Sequence, residues 1–141
     1  MSIKPIQILT PSAFARFGTV LEFPAESTNR FEIIVREPDH PWRLAVFRDN
    51  KRSATKLENH PTSMETFEPV RGTTLLLVAE HDSPDDFAVF LLDKPICLHK
   101  GVWHDVVALS DDVLIRITEN LEVYSEFHTL TGKYEPVLAA E

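Results

Sequence analysis

The stretch Glu58-Asn59-His60-Pro61-Thr62-Ser63-Met64-Glu65, with six further residues before Gly72, decides how this chain is read. On an extended strand, residues i and i+2 point to the same face. Glu58 and His60 therefore look into one cavity. Pro61 marks a turn, and Glu65 returns on the strand that follows. About forty residues on comes His99-Lys100-Gly101-Val102-Trp103-His104, in which Gly101 marks a turn and His104 follows it. Two carboxylates (Glu58, Glu65) and two imidazoles (His60, His104) brought together this way can hold a divalent cation at ~2.0–2.2 Å. They can also serve as acids and bases without one.

Outward from these clusters the chain reads as short apolar runs broken by turn residues. Residues 31–36, 43–48, 74–79, 87–91 and 112–117 are strand-like, and Pro95-Ile96-Cys97-Leu98 is a further apolar strand. Asp39-His40-Pro41, Asn59-His60-Pro61, Ser83-Pro84-Asp85-Asp86 and His99-Lys100-Gly101 separate them. Many short strands at this spacing predict an all-β sandwich or barrel. Near the start, residues 11–18 predict one short helix, with Thr10 as N-cap, Pro11 in the first turn and Gly18 at the C-terminus. Phe14 and Phe17 would share its inner face.

At 141 residues the chain fits one domain, 1–141, with a core over about 9–130 and a C-terminal tail at 131–141. The tail beyond Tyr134 has little reason to be ordered on its own. The formal net charge of -8 disfavours nucleic acid as a partner. No apolar run approaches the ~20 residues of a membrane span, so no membrane partner is expected. The single cysteine, Cys97, excludes an intrachain disulfide and suits a reducing, cytoplasmic setting. Its apolar neighbours predict a buried, inert thiol.

The spacing of the two clusters resembles the paired motifs of the cupins. Glu58 stands where the first motif has its first histidine, and His99 stands where the second has proline. The text around them resembles the ureidoglycolate lyase family within that superfamily. The matching pieces are residues 9–18, Leu44-Ala45-Val46-Phe47-Arg48, Leu57-Glu58-Asn59-His60-Pro61, Thr66-Phe67-Glu68-Pro69-Val70 and Gly101-Val102-Trp103-His104. The resemblance implies a cupin-type β-barrel (double-stranded β-helix) with the helix outside it. It implies cleavage of ureidoglycolate to glyoxylate and urea in purine and allantoin breakdown. It further implies a homodimer. His60, His104, Glu58 and Glu65 would form the catalytic or metal-holding core. Arg48, His99 and Trp103 would bind the small-molecule substrate. A divalent metal of unspecified identity is compatible with the donor set, and no organic cofactor is expected.

Plainer readings stand beside these. His60 can cap a turn, His104 can be a core histidine, and Glu58 or Glu65 can face water. His99 can merely fill its turn. Trp103 can be packing, and Arg48 can serve a structural ion pair. The chain also departs from the family. It has Asn59 for arginine, Glu65 for glutamine and Asp105 for a second histidine. The Asp-Arg pair of the last core strand is replaced by Ile115-Arg116-Ile117-Thr118, and the family's Asn-Gly element in the second quarter is not visible. These changes leave open a cupin that binds a small acid or sugar without turnover, or one with different, metal-dependent chemistry.

Overall fold

The computed structural model describes residues 3–137. Its elements run β1 (Ile6–Ile8), α1 (Pro11–Phe14), β2 (Gly18–Val20), β3 (Trp42–Asp49), β4 (Ala54–Asn59), β5 (Glu65–Arg71), β6 (Thr74–Ala79), β7 (Ala88–Leu91), β8 (Ile96–Leu98), β9 (Trp103–Ala108), β10 (Val113–Asn120) and β11 (Glu126–Tyr134). Two sheets form. One has six strands in the order β1-β7-β6-β9-β4-β11, the other five in the order β2-β8-β5-β10-β3. All pairings are antiparallel except β1 with β7. This is the all-β, two-sheet architecture the sequence predicts. No helix among the described residues is long and apolar enough to cross a membrane.

The core follows from strand parity. Along β6 every residue is buried. Leu76 and Val78 face the space between the sheets, where they meet Phe14, Phe17, Phe67, Phe90, Val106 and Ile115. Leu75 and Leu77 face the other side, with Leu57, Val89, Trp103, Val107 and Leu130. A strand buried on both faces reads as an unbroken apolar run, and this one does.

Helix α1 is capped as predicted, with the Ala13 N–H donating to Thr10 Oγ1 at 3.2 Å. It lasts only four residues, so Gly18 does not close it but opens β2. The glycine is needed for another reason: a Cβ there would run into the Cys97 carbonyl of neighbouring β8. Phe14 and Phe17 are buried together, ring centroids 6.0 Å apart.

Other boundaries also differ from expectation. Residues 31–36 form no strand. Residues 131–134 belong to β11 rather than to a tail, because β11 wraps along β4 through an irregularity that restores pairing at Tyr134 with Ala54. The remainder of the expected tail, beyond 137, lies outside the described residues. Strand β11 was hard to read because only Leu130 along it is buried.

Candidate functional site

Three strands build the site. Glu58 on β4 and His104 on β9 are directly paired neighbours. His60 sits one step past the end of β4, where the chain turns at Pro61. Glu65 opens β5 in the opposite sheet, so its carboxylate crosses the barrel towards both imidazoles. Gly101, with φ of 82°, supplies the left-handed turn that lets β9 begin at Trp103.

The four side chains meet. Glu65 Oε1 lies 3.0 Å from His104 Nε2 and 3.2 Å from His60 Nε2. Glu58 Oε1 lies 3.9 Å and 3.8 Å from the same two nitrogens. Glu65, His60 and His104 are buried, and Glu58 is half-exposed.

Backbone contacts set the tautomers. His104 Nδ1 is 3.1 Å from the Val102 carbonyl, and His60 Nδ1 is 3.3 Å from the Tyr124 carbonyl. Ser125 Oγ also lies 3.2 Å from His60 Nδ1. A carbonyl only accepts, so each Nδ1 carries a proton and donates it. Both Nε2 atoms then point lone pairs at one carboxylate oxygen unless something positive intervenes. A proton on each Nε2 is one solution and a cation is the other.

Both solutions leave marks. Burial would lower the His60 pKa, but the adjacent Glu65 carboxylate overrides it and holds it above the ordinary value. His104 behaves alike: burial opposes, and the Glu65 charge wins. Burial would raise Glu65, but the two imidazoles, His104 first, pull its pKa down to about 2. Yet Glu65 Oε1 makes no properly directed hydrogen bond despite its short contacts. Ligand atoms each ~2.1 Å from one ion sit roughly 3.0–3.4 Å from one another, which matches the Glu65–imidazole separations. The ligand atoms of Glu58, His60 and His104 all fall within 4.8 Å of one another, as do those of His60, Glu65 and Glu119. The imidazoles with either carboxylate therefore offer a donor set that suits a divalent cation.

The site opens on a cavity of about 260 Å³. Phe47, Phe67, Ile117 and Phe127 give it apolar walls around Glu58, Glu65 and His104. Two lysines line it. Lys51 is committed: its Nζ donates to Asp105 Oδ2 at 2.9 Å, the Val106 carbonyl at 2.8 Å and the Ser53 carbonyl at 3.0 Å. Lys56 has no carboxylate partner among the described residues, and its Nζ sits 4.9 Å from the centre of the Phe127 ring.

The three expected substrate-binding residues lie elsewhere. Arg48 follows Phe47 on β3, so it turns to the outer face when Phe47 faces the cavity. His99 is exposed, with Nε2 3.1 Å from the Ala15 carbonyl, and ties the turn to the end of α1. Trp103 is buried on the far side of the six-stranded sheet, where its indole N–H donates to the His81 carbonyl at 2.8 Å and its ring stacks on His81. Of the departures, Asp105 answers Lys51. Asn59 is fully buried with both amide atoms unpartnered.

Sequence reading missed Lys56, although the rule that joined Glu58 to His60 extends two residues back to it. Phe127 and Tyr124 carried no signal.

No family model matches the chain. It is 30% identical to a protein of Azotobacter vinelandii named ureidoglycolate lyase, over 79% of this chain and 81% of that protein. A protein of the same name from Pseudomonas syringae pv. tomato is also 30% identical, over 82% of each. Among solved structures, RmlC from Streptococcus suis overlaps it with a TM-score of 0.48 at 18% identity, covering 57% of this chain and 44% of that one.

Proposed function

The chain belongs to the ureidoglycolate lyase family, and on that premise we propose that it cleaves the carbon–nitrogen bond of ureidoglycolate, releasing glyoxylate and urea. One observation carries the reading: two tautomer-fixed imidazoles and two carboxylates converge on one point, at the floor of a small cavity with an unpaired lysine on its wall.

The substrate carbon bears a hydroxyl, a carboxylate and a urea nitrogen. Cleavage moves the O–H electrons into a new C=O bond, breaks the C–N bond and returns a proton to the departing nitrogen. Glu58, the more open carboxylate, takes the hydroxyl proton and delivers it to urea, so atoms and charge balance. Lys56 holds the substrate carboxylate, the role that the sequence had suggested for Arg48. The apolar walls lower the local polarity beside the reacting groups and strengthen these contacts. His60, Glu65 and His104 would hold a divalent cation, which would polarise the oxygens it binds and ease ionisation of the hydroxyl.

A second reading rests on Glu65 and Asp105. An additional buried carboxylate in place of the family's glutamine suits metal chemistry on another small hydroxy or keto acid, and Asp105, tied to Lys51, supplies no second imidazole. Urea release from racemic ureidoglycolate separates the two. The lyase reading expects turnover that falls at least a hundredfold in His104→Ala with the fold retained. Equal turnover in the variant sinks it.

A further inference from the structure

Strand β10 carries a carboxylate that the reaction outlined above does not use. Glu119 and Glu65 are direct cross-strand partners, and Glu119 is paired in turn with Arg43 on β3. Ile117 and Ile115, two and four residues back, belong to the core between the sheets, so Glu119 shares their inward face. Its side chain is only 9% exposed. The backbone on either side is clipped in place. The Thr118 N–H donates to Thr66 Oγ1 at 2.8 Å, and the Asn120 N–H donates to Ser63 Oγ at 3.0 Å. The Asn120 side-chain amide donates to the Thr62 carbonyl at 3.0 Å. Glu119 is thereby held beside Glu65, where the turn after Pro61 runs into β5.

This is an unfavourable place for a second carboxylate. Like charges directly opposite on neighbouring strands repel, and water screens these two little because both side chains are buried. Arg43 answers Glu119 from the far flank: its Nε and Nη2 donate to Oε2 at 3.0 and 2.7 Å. Since β10 lies between β3 and β5, that guanidinium does not stand between the two carboxylates. Among the described residues, Glu65 forms ion pairs only with His60 and His104, and Glu119 only with Arg43. Glu119 Oε1 takes no hydrogen bond there, and Glu65 Oε1 is buried with no properly directed one. The gap between the two side chains calls for a positive charge.

The geometry points to Glu119 as a further protein ligand of the divalent ion that His60, Glu65 and His104 would hold, an inference that rests on the metal reading of that site. One ligand atom from each of His60, Glu65 and Glu119 lies within 4.8 Å of the other two. Ligands on opposite sides of one ion stand roughly 4.2 Å apart, so one ion can reach across the gap. With Glu65, Glu119 brings the two negative charges that balance a dication. Arg43 fixes its orientation, as hydrogen-bonded partners of ligating carboxylates do. Glu58, with a side chain 37% exposed, is then left free to carry protons.

Calorimetric titration of chelator-stripped protein with Mn²⁺ alone tests this, because a carboxylate-rich donor set suits that ion. The parent should bind one Mn²⁺ per chain. Glu119→Gln keeps the volume and an acceptor for Arg43 but loses the charge, and should raise Kd about tenfold or more. Glu119→Asp keeps the charge but draws it back by one methylene, and should raise Kd about threefold or more; it decides the matter if the glutamine variant does not fold. Glu68→Gln removes a charge from the outer face of the same sheet, where Glu68 meets Arg116 at 3.8 Å, and should leave Kd within about twofold. Smaller rises at Glu119 overturn the proposal, as does a comparable rise in Glu68→Gln or a parent that binds no Mn²⁺. Urea release plays no part in the readout. Mn²⁺ bound through Glu119 by a protein that leaves ureidoglycolate intact would end the lyase reading alone.

Discussion

Replacing Glu65 by glutamine should reverse the pH dependence of stability in metal-free protein. In the parent, both imidazoles have raised pKa values. Their contribution is fully present below the ordinary value of 6.5 and is lost as pH rises through the raised values. Glu65 is lowered from 4.5 to about 2, so its contribution is present above 4.5 and is lost as pH falls towards 2. The cluster therefore favours the folded state most between pH 4.5 and 6.5. Without the Glu65 charge, burial of His60 and His104 dominates and pushes both below their ordinary value. At pH 5 the unfolded chain then binds protons that the folded chain refuses. Each imidazole held neutral 1.5 units below its unfolded pKa costs about 2 kcal/mol, so the pair costs up to about 4 kcal/mol between pH 8 and pH 5. That is a Tm fall on the order of 10–15 °C. Glutamine keeps the volume and is the residue the family resemblance leads one to expect, so the fold is retained. Calorimetric unfolding in chelator from pH 5 to 8 reads the effect. Parallel profiles for parent and variant would refute the coupling.

Three other perturbations probe different parts of the account. Lys56→Met should lower kcat/KM for ureidoglycolate by ~10–100-fold, chiefly through KM, because a charged contact to the substrate carboxylate is lost; an unchanged KM removes Lys56 from the site. Phe90→Ala should cost about 3–5 kcal/mol in denaturant unfolding, since the ring is fully buried edge-on to Phe14 at 5.2 Å and to Phe17 at 6.0 Å; a loss below 1 kcal/mol would contradict the packing. Cys97 is pushed from 9.0 to about 11 by burial and by the Glu65 charge, so native protein at pH 8 should be alkylated ~100-fold more slowly than unfolded chain; equal rates would show an accessible thiolate.

How much of this was legible depended on parity and on distance along the chain. Glu58 and His60 declared a shared face through their i, i+2 spacing, and Pro61 and Gly101 marked the turns that bring Glu65 and His104 back to it. The same parity argued against two other residues. Trp103 adjoins His104 on one strand and so faces away, and Arg48 adjoins Phe47 and does likewise. The bond from His99 to the Ala15 carbonyl joins segments more than eighty residues apart, which no local pattern announces. Residues 31–36 read as a strand because their composition is that of one; a strand also needs a partner edge, and among the described residues none reaches it. Strand β11 gave the opposite error, since its pairing with β4 is supported by main-chain bonds and little apolar alternation.

The most direct test of the central claim is the stoichiometry of product release from racemic ureidoglycolate, followed on protein purified without a metal-affinity tag and with its metal content measured on the same sample. Urea and glyoxylate should appear in equal amounts at an enzymatic rate, with a divalent metal bound among His60, Glu65 and His104. No urea from protein that carries its full metal complement would contradict it and leave the cluster as a metal site serving another substrate.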